Sequence, residues 1–149
     1  MSTADEIRKE YRTNEIAVIW EPRYCIHSAR CIAGNVAVFD PRERPWVHAD
    51  RAPADETARI IATCPTGALH YQRLDGAPQE PVPTTTTVDV QPNGPLFLRG
   101  DIEVKDANGA VIRRDTRVAL CRCGHSRQKP FCDNSHRMVN FADPGVEAT

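Results

Sequence analysis

One stretch, residues 121–136, concentrates side chains that bind soft metals. It reads Cys-Arg-Cys-Gly-His-Ser-Arg-Gln-Lys-Pro-Phe-Cys-Asp-Asn-Ser-His, with thiols at Cys121, Cys123 and Cys132 and an imidazole at His136. Thiolates suit zinc and iron–sulfur clusters alike, so ligand softness leaves both open. Zinc sites usually space their cysteines as C-x2–4-C, whereas Cys121-x-Cys123 puts two sulfurs on opposite sides of one extended residue. Two thiolates on one iron of a rhombic cluster can use that geometry, which would leave Cys132 and His136 for the second iron. A sparser set lies upstream: Cys25, Cys31 and Cys64, the last followed by Pro65.

The first set resembles the CDGSH iron–sulfur domain, whose pattern is C-x-C-x2-(Ser/Thr)-x3-Pro-x-Cys-Asp-Gly-(Ser/Ala/Thr)-His. Cys121, Cys123, Ser126, Pro130, Cys132, Asp133, Ser135 and His136 match it, and Asn134 stands where the family has Gly. Asn tolerates a left-handed backbone better than other non-glycine residues, so the turn should survive. Asn93-Gly94-Pro95-Leu96 and Leu120 are similar to the family's upstream sheet, and the resemblance covers about residues 85–141. It implies a 2Fe-2S cluster on three cysteines and one histidine. An imidazole in place of a thiolate makes such a cluster less negative and raises its potential. His136 is also a titratable ligand, so lability should depend on pH in the histidine range. A zinc site is the alternative.

In bacterial ferredoxins a C-x2-C-x2-C run wraps one cluster and a distant Cys-Pro closes it. Here the outer positions are Cys25 and Cys31, the middle one is Ser28, and Cys64-Pro65 is the distant member. Tyr24-Cys25, Cys31, Val38-Phe39, Arg44-Pro45-Trp46 and Cys64-Pro65-Thr66-Gly67-Ala68-Leu69, within residues 14–72, look like the divergent mono-cluster ferredoxin domain. With the middle cysteine missing, 3Fe-4S is the preferred cluster; a 4Fe-4S form would place Ser28, His27 or water on the fourth iron. Buried cysteines without a metal are the alternative.

These ligands need elements to hold them. An acidic first turn and the Ile7/Tyr11 pair predict a helix over residues 3–12, and the β-branched run Ile16–Trp20 predicts a strand. Residues 36–39 and 46–48 should pair across a turn, residues 54–62 should be helical, and residues 68–72 a strand. The composition of residues 76–87, Gly-Ala-Pro-Gln-Glu-Pro-Val-Pro and four threonines, is that of a linker. Beyond it, short β-prone pieces at 88–90, 96–99, 102–105, 111–114 and 117–120, separated by turn residues, predict a small antiparallel sheet. The expected fold class is α+β: a ferredoxin-like module over residues 1–75, the linker, and a β-rich CDGSH module over residues 88–149.

Composition narrows the function. The 149 residues carry a net charge of −1 with a pI near 6.5, which gives no footprint for nucleic acid or an anionic membrane. The longest apolar run is far short of the roughly 20 residues that span a bilayer, and neither a signal nor a transit peptide is readable. We therefore expect a soluble cytoplasmic protein whose six cysteines hold metal rather than form disulfides. No nucleotide motif or nucleophile–base pair is visible, so a carrier is expected rather than an enzyme. One-electron transfer is the economical function, with redox proteins as partners. Cluster storage, transfer to an apo acceptor, or redox and pH sensing through His136 is the alternative, and a zinc-held interaction module a third. Resemblance also implies a homodimer.

Among the remaining residues, His125 is expected in an exposed loop, His48 and His70 as ordinary satisfied side chains, and Trp20 and Trp46 in the core. His27 is a candidate to ligate or hydrogen-bond the first cluster. Arg122, Arg127, Lys129 and Arg137 would compensate an anionic cluster, with a docking patch for an acidic partner as the sharper reading.

Overall fold

The computed structural model of the protein describes residues 8–147. They form a small α+β fold with two three-stranded antiparallel sheets, each in its own compact unit. One unit runs through Cys64 and resumes over Ala68–Pro81; the other takes Pro65–Gly67 and everything from Val82 onward.

In the first unit β1 (Lys9–Arg12), β2 (Ile16–Trp20) and β3 (Leu69–Arg73) lie in the order β1-β2-β3. The helix expected over residues 3–12 is corrected here. Residues 3–7 lie outside the described residues, and Lys9–Arg12 are a strand paired with β2 from Lys9↔Trp20 to Arg12↔Ala17. The Ile7/Tyr11 pair was a weak helical signal. The buried β-branched run of β2 offers a full ladder of hydrogen bonds, and Tyr11 packs against the core between the exposed Glu10 and Arg12. Thr13 closes the hairpin, its Oγ1 accepting from the N–H groups of Glu15 and Ile16, both at 3.1 Å.

Helix α1 (Arg30–Gly34) and helix α2 (Ala54–Ile61) complete this unit with two short 3-10 turns at Pro22–Tyr24 and Ala49–Arg51. α2 buries Ala54, Thr57, Ala58, Ile60 and Ile61, with Asp55 and Glu56 in the first turn where carboxylates favour the helix dipole. The two helices approach closely at Gly34, where any Cβ would stand 2.7 Å from the Ile60 side chain. Residues 36–39 and 46–48 do meet, at a single bridge between Phe39 and Val47 rather than as strands. Ile16, Val18, Val38, Phe39, Val47, Ile60, Ile61 and Leu69 form the core.

The second unit holds β4 (Thr87–Val90), β5 (Leu96–Lys105) and β6 (Val111–Leu120), in that order. The sheet is as the turn residues indicated, but its five short pieces are three strands. Gly100 is a bulge inside β5 and not a turn: its φ is +153° and a Cβ would meet Thr86 Oγ1 at 2.6 Å. A one-turn helix, α3 (Ser135–Met138), follows the cysteine-rich stretch. Part of the segment with linker composition is tied down. Gln79 exchanges two hydrogen bonds with the Arg73 backbone, both at 2.9 Å, and Glu80 meets His70 Nδ1 at 2.8 Å. Among the described residues no helix is long and apolar enough to cross a membrane.

Candidate metal centres

The second unit folds its cysteine-rich stretch back onto the end of β6. Phe131 bridges Leu120, the Cys121 N–H donates to Pro130 O at 2.8 Å, and the Cys132 N–H donates to Ala119 O at 2.9 Å. Side chains then fix the loop from within. Ser126 donates to Phe131 O at 2.6 Å, and the Asp133 carboxylate accepts from the N–H groups of Arg127 (2.9 Å) and Ser135 (3.0 Å). Asn134 takes the left-handed conformation, φ 76°, that its glycine-like position requires.

The result is two ligand pairs. Cys121 Sγ and Cys123 Sγ stand 3.8 Å apart, and Cys132 Sγ stands 3.7 Å from His136 Nδ1. Two thiolates on one tetrahedral metal at about 2.3 Å stand about 3.8 Å apart, and a thiolate and an imidazole nitrogen stand about 3.6 Å apart. Each pair is therefore spaced as two corners of one metal's tetrahedron. Among the described residues no three His, Cys, Asp or Glu side chains converge on one ion-sized site. Each pair can thus supply two ligands to one metal atom.

Backbone N–H groups line these sulfurs. His125 N–H donates to Cys123 Sγ and Asn134 N–H to Cys132 Sγ, both at 3.4 Å. Burial acts to raise the Cys121 thiol, but the N–H groups of Ser126, Gly124 and His125 and the neighbouring Cys123 outweigh it and hold it below the ordinary thiol range. Cys132 is buried and pushed up, with the nearby Cys121, Asp133 and Cys123 adding to the effect. Burial and then the Arg137 charge hold His136 below the usual imidazole range, which favours the neutral ring a metal needs.

In the first unit the Glu21 N–H donates to Ala68 O at 2.8 Å, laying the Pro22–Tyr24 turn beside the chain that carries Cys64. Cys25 follows that turn, Cys31 sits in α1, and Cys64 follows α2, whose end is closed by Thr63 Oγ1 donating to Ile60 O at 2.6 Å. The three thiols share one neighbourhood. Burial raises Cys25 and pushes Cys31 up to about 11, and the charge of Cys64 adds to both. All six cysteines are free thiols. The loop from Cys25 to Cys31 carries two left-handed residues, His27 (φ 57°) and Ala29 (φ 63°), a conformation uncommon for non-glycine residues. His27 Nδ1 lies 3.9 Å from Cys25 Sγ.

With this geometry in place, residues 11–74 match the family described as a divergent 4Fe-4S mono-cluster, and residues 93–137 match the iron-binding zinc finger of CDGSH type. An uncharacterized protein, YjdI, from Escherichia coli strain K12 is 34% identical over 62 residues, which cover 42% of this chain and 82% of the relative. Its namesake from Escherichia coli O157:H7 matches equally. The chain belongs to the divergent mono-cluster and CDGSH iron–sulfur family.

Several side chains around the iron–sulfur sites have roles that spacing alone did not show. Arg122 is a clamp: Nε donates to Gly94 O at 2.8 Å, Nη2 to Gln91 O at 2.9 Å, and Nη1 pairs with Asp143 at 2.8 Å, while the guanidinium lies over the Phe141 ring. Arg127, Lys129 and Arg137 are exposed. His125 is exposed as expected and acts through its backbone N–H. His70 meets Glu80, and His48 lies 2.6 Å from Glu43. Trp20 and Trp46 pack against the core, each with a buried Nε1 that makes no hydrogen bond.

Proposed function

We propose that this iron–sulfur protein carries single electrons between redox partner proteins. The reading assigns a 2Fe-2S cluster to Cys121, Cys123, Cys132 and His136, and a three-thiolate cuboidal cluster to Cys25, Cys31 and Cys64 in a ferredoxin-like first unit. The latter is 3Fe-4S in its resting form, its fourth corner open to the further iron that the mono-cluster family description names. When bound, each cluster supplies a one-electron couple. The observation that carries the reading is the spacing of the two ligand pairs, 3.8 Å and 3.7 Å, which suits two irons.

This chain's own residues do the rest. The N–H groups of His125 and Asn134 aim at ligand sulfurs and stabilise negative charge there, and neutral His136 leaves the cluster less negative than four thiolates would. The polar side chains around the CDGSH loop, Ser126, Asp133 and Arg122, hold the backbone that carries the ligands. Six free thiols support a reducing, cytoplasmic setting.

Iron, zinc and acid-labile sulfide per chain, measured on anaerobically purified protein with EPR before and after dithionite, test the reading. A near-isotropic S = 1/2 signal when oxidised and a rhombic one on reduction are expected. Zinc without sulfide would overturn it in favour of a zinc-held interaction module. The half-buried ring of His136 favours a second reading, delivery of the cluster to an apo acceptor. His136→Cys decides between them: a firmly held cluster with cellular function intact leaves delivery without support.

A further inference from the structure

β2 ends in a donor that the packing of its own unit leaves unsatisfied. Trp20 packs edge-on to Trp46, ring centroids 4.9 Å apart at 67°, and its Nε1 is buried with no hydrogen-bond partner. Buried N–H groups are nearly always paired, so an orphan points to an acceptor that something else supplies. The neighbouring chain identifies it. Glu21 is tied to Ala68 and the Cys25 N–H closes the Pro22–Tyr24 turn on Pro22 O, so the chain folds back just after Trp20 and makes the Cys25 sulfur a neighbour of the indole. A neutral thiol is only a weak acceptor. An anionic, metal-bound thiolate is a strong one. The Nε1 of Trp46 is also buried, but it has the Tyr11 hydroxyl, an ordinary acceptor, beside it.

We propose that Trp20 is a positioning residue for the first unit's cluster, its indole N–H donating to the Cys25 thiolate once that sulfur is bound to iron. The inference rests on Cys25 being a ligand. Its consequence is electronic as well as steric: a hydrogen bond to a ligand sulfur withdraws charge, favours the reduced cluster and raises its potential. The indole also fixes the Cys25 side chain at the end of a rigid strand, before the strained loop to Cys31 begins.

The test uses the full chain loaded with its clusters and labelled with 15N at the tryptophan indoles. Pulsed EPR on the paramagnetic state of the first cluster should show a 15N coupling that survives Trp46→Phe and vanishes in Trp20→Phe. Trp20→Phe should also shift that cluster's midpoint potential downward and leave the second cluster's unchanged, at the same iron content. Should Trp20→Phe fail to fold, the labelled native protein decides, since its coupling requires no variant beyond Trp46→Phe. A loaded first unit with no 15N coupling overturns the role of Trp20 alone. Absence of iron and sulfide from the first unit overturns the ligand assignment with it.

Discussion

Arg122 shows how a residue between two ligands can matter without touching a metal. Its guanidinium satisfies the carbonyls of Gln91 and Gly94, so it braces the loop before β5 against the segment that carries Cys121 and Cys123. Lysine cannot reproduce that fork of donors. Both Arg122→Ala and Arg122→Lys should therefore speed cluster loss roughly tenfold or more, as removal of groups supporting metal ligands commonly does. Decay of the visible absorbance reports it, and a lysine variant as durable as the native protein would show that charge alone suffices. Ser28 makes a complementary point. It occupies the middle position of the ferredoxin-type run, half-buried between two left-handed residues. Ser28→Cys should supply a fourth thiolate and convert the first cluster to a stable 4Fe-4S form, read as loss of the oxidised EPR signal. An unchanged signal would mean that position 28 does not face the cluster.

The elements behave less independently than their sequences. Tyr11 stands four residues from Ile7, a helical spacing, yet it lies in a strand because β2 presents a buried ladder beside it. No property of residues 3–12 alone carries that information. The bridge between Phe39 and Val47 is legible from apolar pieces on either side of turn residues, but its stabiliser is not. Asp40 accepts from the Arg42 guanidinium at two points, both at 2.9 Å, and from the Arg42 backbone N–H at 3.0 Å. The Arg42 side chain, and then its backbone N–H, lower the Asp40 carboxyl from 3.8 to about 2. A carboxyl depressed in the folded state stabilises it fully above its unfolded pKa, and that contribution is lost as pH falls through the folded value. Asp40 should thus support the turn above about pH 4 and cease to do so near pH 2. Thermal melts of Asp40→Asn should start lower at pH 7 and lose less than the native protein on acidification; parallel pH profiles would rule this out.

At the scale of the molecule the two units differ in how much core they own. The first buries Ile16, Val18, Val38, Phe39, Ile60, Ile61 and Leu69 in one cluster. Among the described residues the second buries Ile102, Val118, Ala119, Phe131 and the candidate ligand Cys132, with the charged pair Arg113–Asp115 also buried at 2.7 Å. So small a core seldom folds without a staple. Anaerobic chelation should therefore unfold the second unit while β1–β3 keep much of their hydrogen-exchange protection. Equal loss of protection in both units would show that the first is as metal-dependent as the second.

Residue type and spacing determined the family, the α+β class and the small antiparallel sheet and singled out two candidate ligand sets, because ligand chemistry and turn chemistry are local. Tertiary structure decided what depends on partners distant in sequence. It made a strand of Lys9–Arg12, and it gave Pro65–Gly67 to the second unit, where Thr66 O accepts from the buried Arg113 at 2.8 Å. It turned Arg122 into a clamp and left Trp20 with a buried donor at the end of β2. A buried polar group must find its acceptor wherever the fold brings one, and the order of residues along the chain does not say where that is.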